Sequence, residues 1–260
     1  IIGGQQRAGE GWRMLMECLA AGRSISLPAL STGAGKLVTR VTGAYSRVRK
    51  QFKTPIGKFE GVAEALARIG GTTYMMDAAR TLTASAIDND ESPSVISAIV
   101  KYNLTEAMRS VVNDGMDIHG GSGICMGPRN VLGRVYQSIP ISITVEGANI
   151  LTRSLIIYGQ GAIRCHPYVL KEMEAAQNSD QDKASHDFDR AFFGHVGFTI
   201  SNALRSLWLG LTKARLVRAP TSDASAYYYK QLTLFSSTFA FVSDVAMLTL
   251  GGDLKRKEKL

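Results

Sequence analysis

Glu146-Gly147 is the pair in these 260 residues that most invites a chemical reading. The glutamate follows the apolar run Ser138 to Val145, and a carboxylate set against a water-poor wall is a candidate general base. The glycine beside it lets a ligand reach the adjacent main chain. Taken alone, an exposed acid at a helix start is the simpler explanation of Glu146. Arg47, Arg49, Lys50 and Phe52 mix cations with an aromatic ring at the end of a long helical pattern. Guanidinium groups bind phosphate oxygens in pairs and aromatic faces stack, so the cluster suits a pyrophosphate joined to a flat ring system. A solvated helix C-terminus, where the dipole favours cations, explains it equally well. Gly120-Gly121-Ser122-Gly123 frees the backbone for close approach but reads, on its own, as a helix cap. The sequence shows no metal-ligand spacing, P-loop, nucleophile elbow or dinucleotide fingerprint after a strand. Cys18, Cys125 and Cys165 are an odd set without CxxC spacing, which points to reduced thiols in a cytosolic compartment.

Composition narrows the class of protein that could carry such groups. With 45% hydrophobic and 20% charged residues, the chain can bury a real core, which excludes disorder, collagen and a small stapled scaffold. The net charge of +8 is uneven: residues 1 to 60 carry +7, residues 61 to 253 carry −2 and the last seven carry +3. A basic first quarter suits phosphate-bearing partners, namely nucleic acid, anionic lipid or a phosphorylated cofactor. The chain opens on Ile1-Ile2-Gly3-Gly4 without a basic-then-apolar leader, so no signal peptide is expected and a cut from a longer protein is. Leu232 to Leu250 approaches bilayer-spanning length but contains Asp244, whose insertion costs roughly 2.5 to 3.5 kcal/mol, so a buried or interfacial helix is expected there.

Helical periodicity dominates the elements that must hold these groups. A long helix is expected from Trp12 to Lys53, kinked at Pro28, with Leu15, Leu19, Ile25, Leu30, Leu37, Val38 and Val41 on its apolar side. A second runs from about Phe59 to Asp88 with Val62, Leu66, Ile69, Met76, Ala79 and Leu82 inward. Ser92-Pro93 starts a third by residue type, which runs to His119 with Ile96, Val100, Leu104, Met108, Val111 and Val112 inward. A short helix over Arg129 to Gln137, an irregular Ser138 to Val145 and a helix from Ala148 to Tyr158 complete an up-and-down bundle. The polar stretch from Glu172 to Asp187 reads as a linker, followed by helical patterns over Phe188 to Leu216 and Ser222 to Leu250. The expected organisation is a bundle over 1–165, a linker over 166–182 and a truncated helical extension over 183–260.

The order of the motifs is recognisable. Arg49-Lys50-Gln51-Phe52 with Thr54-Pro55-Ile56, then Ile118-His119-Gly120-Gly121-Ser122-Gly123, then Val145-Glu146-Gly147 with Arg153, resembles the carboxyl-terminal half of the acyl-CoA dehydrogenases over about residues 1 to 165. Glu146-Gly147-Ala148-Asn149 and Arg164-Cys165-His166-Pro167, leading into an added helical region, look most like the large bacterial members of fatty-acid β-oxidation that carry an extra C-terminal domain. The resemblance implies an all-α fragment of an FAD-dependent oxidoreductase that converts long-chain fatty acyl-CoA to trans-2-enoyl-CoA. By it, Glu146 takes the α-proton while the β-hydrogen leaves as hydride to the flavin N5, and the Glu146 backbone N–H helps hold the thioester carbonyl. Some relatives carry the base on the first long helix directly before an arginine; here that position is Gly22, before Arg23.

By the same resemblance Arg49 and Phe52 reach the FAD of a partner subunit. Asp117, Gly120 and Gly121 belong to the loop near its pyrophosphate and adenosine half, and Arg23 and Gly147 line the substrate cavity. The sequence departs from the family at Lys53, Glu60, Asp117, Ala148, Ile150 and Ala20. The implied partners are fatty acyl-CoA, an electron-transfer flavoprotein and further copies of the chain, with no nucleic acid. The implied location is the cytoplasm, with peripheral contact at the inner membrane. The rival readings are an acyl-CoA oxidase-like flavoenzyme, whose reduced flavin yields peroxide with oxygen, and a non-catalytic helical module that binds membrane or a protein partner.

Overall fold

A computed structural model describes residues 3–91 and 94–256, and within them the side chains of 12, 13, 16, 17, 20, 21, 94, 155, 255 and 256 are left aside. The Ser92-Pro93 helix start and the end of the basic tail, 257–260, lie outside the described residues. The chain divides into two compact units, 1–157 and 158–260.

The first unit is built on α1 (Gly11–Val48), which runs unbroken across Pro28. It stops five residues earlier than periodicity suggests, because Lys50–Gln51 (β1) and Thr54–Pro55 (β2) pair antiparallel as a hairpin. Thr54 precedes a proline, which disfavours helical backbone, and Phe52 and Lys53 take φ of 49° and 65° at the tip. α2 (Glu60–Asp88) and α3 (Ser94–His119) follow, and α1, α2 and α3 pack mutually. Val38, Ile69, Met108, Val111, Val112 and Met116 form the core, closed by Leu132 and Ile139.

The inward face of α1 is not the expected leucine stripe. Leu15, Ile25, Leu30 and Leu37 are exposed, while Ser24, Leu27, Ser31, Thr32, Val38, Thr42 and Ser46 are buried. Small residues let the helices approach closely: a Cβ at Gly35 would lie 2.6 Å from Met76 Cε, and one at Gly115 would lie 2.7 Å from Val38 Cγ1. Two of their hydroxyls bond main-chain oxygens, Ser46 Oγ to Thr42 O at 2.8 Å and Thr32 Oγ1 to Met76 O at 3.3 Å, which lets those two be buried at little cost. On α2, Ile69 and Met76 are buried as expected and Leu82 is exposed; on α3, Val100, Leu104, Met108, Val111 and Val112 are buried and Ile96 is exposed.

After the one-turn α4 (Gly121–Ile124), α5 spans Gly133–Thr144. The stretch expected to be irregular, 138–144, is therefore helical despite Pro140. Burial of Ile139 and Ser142 outweighs the lost N–H, and Thr144 Oγ1 bonds Pro140 O at 2.8 Å. A turn at Val145–Ala148 leads to α6 (Asn149–Leu151), a π-helical segment (Thr152–Gln160) and α7 (Gly161–Arg164).

In the second unit, α8 (Val169–Ala176), α9 (Gln181–Leu211) and α10 (Ala226–Leu250) pack in sequence. The polar stretch expected as a linker is thus mostly helix, with Asp180 capping α9 through its bond from the Lys183 N–H. α10 is one-sided: Ser237, Ser243 and Asp244 are buried, while Leu232, Phe235, Phe239, Val242 and Leu248 are exposed. By length and composition alone, Ala226–Leu254 could cross a bilayer.

Candidate active site

Glu146 and Gly147 sit on the turn after α5, with φ of 55° and 95°. Two consecutive left-handed residues reverse the chain, and a non-glycine residue there stores strain that surrounding bonds must hold. Those bonds come from three helices. From α1, Arg23 Nε donates to Glu146 O at 3.1 Å; from α3, Lys101 Nζ donates to Gly147 O at 2.8 Å and Ile143 O at 3.1 Å. Lys101 also donates to Asn149 Oδ1 at 2.6 Å, and Thr152 Oγ1 donates to Gly147 O at 3.0 Å. Arg23 is 7% exposed and Lys101 fully buried.

The carboxyl group itself is treated differently. Glu146 Oε2 is buried and has no hydrogen-bond partner among the described residues. Oε1 lies 3.9 Å from where a Cβ at Gly22 would be, so position 22 and Glu146 address the same spot. Burial lowers the Arg23 pKa, and Glu146 opposes the shift. Burial and the neighbouring Arg23 bring Lys101 down to about 8 against the pull of Glu146 and Glu106. The bend therefore presents a carboxylate oxygen with no hydrogen bond among the described residues, beside Lys101, whose three donors go to backbone and amide oxygens, and Arg23, whose Nε goes to a backbone oxygen.

Arg49, Phe52, Asp117, Gly120 and Gly121 gather at the other end of α1. Phe52 is 90% exposed at the hairpin tip, and Arg49 and Asp117 are exposed. Lys53 beside Phe52 takes left-handed backbone without being a glycine. The glycine loop is held against the last turns of α1: Tyr45 stacks on His119 with ring centres 4.1 Å apart, and its hydroxyl lies 3.2 Å from Ser122 Oγ. Asn130 anchors the loop from the far side through Gly123 O at 2.7 Å and receives the Gly133 N–H at 2.8 Å. Gly120 has φ of 54°, and nothing occupies the space beside it or Gly121 within 4 Å.

Arg23 and Arg49 are 26 residues apart on or just beyond one continuous helix, roughly 39 Å at 1.5 Å per residue. The structure thus unites Arg23, Glu146 and Gly147 and separates them from Arg49, Phe52, Asp117, Gly120 and Gly121. Lys101, Asn149 and Thr152 were missed by motif reading. The available signal was a lysine on α3 between Val100 and Leu104, on the face otherwise expected to be apolar.

A second cluster lies in the other unit, where His166 Nε2, His195 Nε2 and an Asp244 oxygen converge within 4.8 Å. His195 bridges Glu172 Oε1 at 2.8 Å and Asp244 Oδ1 at 3.4 Å, and Thr199 Oγ1 donates to Asp244 Oδ2 at 2.7 Å. His166 Nδ1 accepts the Tyr168 and Val169 N–H groups, both at 3.2 Å, so a neutral ring carries its proton on Nε2. That nitrogen sits 3.1 Å from Asp244 Oδ1, misaligned for a hydrogen bond but close enough for attraction. A metal needs a lone pair where this tautomer has a proton, so the cluster reads as a polar clamp joining α8, α9 and α10. Burial lowers the His166 pKa, in keeping with a neutral ring.

Comparison with known proteins agrees with both units. Residues 9–159 match the family described as acyl-CoA dehydrogenase, C-terminal domain, and residues 163–260 match acyl-CoA dehydrogenase, C-terminal, bacterial type. Over 159 residues the chain is 30% identical to the probable acyl-CoA dehydrogenase FadE10 of Mycobacterium tuberculosis, covering 58% of this chain and 24% of that protein. It is 27% identical over 150 residues to the 3-(aryl)acrylate reductase of Clostridium sporogenes, covering 56% and 38% respectively. An acyl-CoA dehydrogenase from Bacillus anthracis, solved in complex with FAD, shares the fold over 96% of this chain and 40% of its own, with a TM-score of 0.70 at 18% identity. The chain spans about a quarter of the length of the mycobacterial relative. With more than half its length matched by the C-terminal domain, this chain belongs to the acyl-CoA dehydrogenase family of oxidoreductases.

Proposed function

We propose that this chain supplies the base and one edge of the cofactor site of an FAD-dependent dehydrogenase acting on long-chain fatty acyl-CoA. Glu146 removes the α-proton. Its buried, unpartnered Oε2 on a bend held by Arg23, Lys101 and Thr152 is the observation that carries this reading. On this reading the Glu146 backbone N–H polarises the thioester carbonyl, while Arg23 fixes the bend from the α1 side through Glu146 O. FAD, when bound, supplies the acceptor for the β-hydride. Exposed Arg49 and Phe52 on a strained hairpin tip, and the open space beside Gly120 and Gly121, fit a phosphate-linked flat cofactor and would hold it. Asp117 sits at the mouth of that loop. Electrons then pass to an electron-transfer flavoprotein, and a further copy of the chain completes each site. In the FAD-loaded enzyme, Glu146→Gln should abolish bleaching of the flavin by palmitoyl-CoA while leaving the flavin bound. Bleaching at the normal rate would sink the assignment.

A peripheral membrane role for the second unit is favoured by the α9–α10 connection. An open cavity of about 690 Å³ there is lined by Lys213, Arg215, Tyr227 and Lys230. Trp208, Leu211, Leu216 and Tyr228 are exposed nearby in the sequence, and residues 205 to 243 carry five cations against one acid. Cations beside interfacial aromatics suit an anionic lipid surface at the cytoplasmic face of the inner membrane. The protein should co-sediment with vesicles containing phosphatidylglycerol and not with neutral ones, and binding should weaken as salt rises. Equal recovery with both would remove this role.

A further inference from the structure

We infer that Lys101 is a positioning residue, its ammonium holding the Glu146–Gly147 bend from behind so that the base keeps its place without being hydrogen-bonded itself. The inference rests on reading Glu146 as the base. A fully buried lysine is rare, and a buried ammonium is tolerated where all three N–H groups find acceptors. Here they do, in Ile143 O, Gly147 O and Asn149 Oδ1. These oxygens flank Glu146 on both sides in sequence, so one ammonium ties the last turn of α5 to the first residue of α6 across the strained turn. Asn149 is itself fixed, donating to Thr105 Oγ1 at 2.9 Å and Glu106 Oε1 at 2.8 Å. With its donors occupied, Lys101 has none for the carboxylate, and Glu146 Oε2 is left without a hydrogen bond.

The charged groups acting on Lys101 are Arg23 from α1, Glu146 from the turn and Glu106 from α3, and with burial they leave it titrating at about 8 instead of 10.5. A neutral amine has two N–H groups for three oxygens, so the bend should loosen as pH rises through about 8. Stability moves the other way. Above pH 8 the unfolded chain still holds the proton that the fold has released, so this group makes the fold more stable as pH rises toward 10.5. A lysine that merely filled space would show no such opposition between rate and stability.

The test is the rate of flavin bleaching by palmitoyl-CoA in the FAD-loaded holoenzyme between pH 7 and 9.5. The wild-type rate should fall through about pH 8 without loss of bound flavin or of thermal stability. Lys101→Met should bleach about tenfold or more slowly at pH 7 and lack that alkaline fall. A normal rate in Lys101→Met, or an unchanged alkaline limb, overturns the inference. Should that variant fail to load flavin, the wild-type profile decides alone: a rate flat over the range overturns it. Glu146→Gln run in parallel separates the two readings. An inactive Glu146→Gln beside a normal Lys101→Met removes only the role of Lys101, whereas an active Glu146→Gln removes the base and the inference together.

Discussion

Gly147 shows how much of the chemistry depends on backbone that only one residue type adopts without strain. Its φ is 95°, and a Cβ there would lie 3.0 Å from Thr152 Oγ1, the hydroxyl that bonds its own carbonyl. Gly147→Ala should therefore cost about 1–2 kcal/mol and displace the Glu146 carboxyl. Thermal unfolding would register the first effect and acyl-CoA-dependent flavin bleaching the second. The sequence drew attention to Glu146 and Gly147 as a glutamate–glycine pair after an apolar run, while Arg23 entered only through the family resemblance. Motif reading missed Lys101, because whether a lysine in a helical stripe is buried depends on what packs over it, and that is set by residues some 45 positions away.

At the scale of elements, the hairpin between α1 and α2 carries a device and its strain together. Phe52 and Lys53 both lie in the left-handed region, where a turn of this kind usually has asparagine or glycine. Replacing Lys53 with glycine should stabilise the chain by about 0.5–1 kcal/mol. A rise in melting temperature with the hairpin intact checks it; an unchanged or lower value would show that the lysine stem repays the strain. The same region was read from sequence as the end of a helix, since Arg47 to Lys53 contains nothing that breaks a helix by itself. The break is imposed from beyond, by Pro55 and by the pairing of residues 50–51 with 54–55.

For the whole molecule, the distance along α1 bears on the proposal that a working site is shared between chains. Arg23, which bonds the Glu146 bend, and Arg49, beside the hairpin, lie roughly 39 Å apart along that helix, too far for one chain's two clusters to meet at a single reaction centre. On the proposed reading each site is shared between copies. Arg49→Glu and Glu146→Gln enzymes, each inactive alone, should regain activity when co-expressed, measured as acyl-CoA-dependent flavin bleaching. Failure of mixed oligomers to recover any activity would overturn the shared site.

The sequence by itself determined the all-α class, the number of long helices and the order of the motifs that mark the family, because periodicity and residue type are local properties. The tertiary structure decided which face of α1 is buried, that residues 138–144 are helical, and that Lys101 and Asn149 stand behind Glu146. It also decided that Asp244, which looked like a charge stranded in an apolar helix, is held by Thr199 and His195. The physical reason is common to these cases. Burial of a polar group is acceptable only where partners from distant segments satisfy it, and helices approach closely only where small residues meet, so both are settled by packing and not by any single stretch of chain.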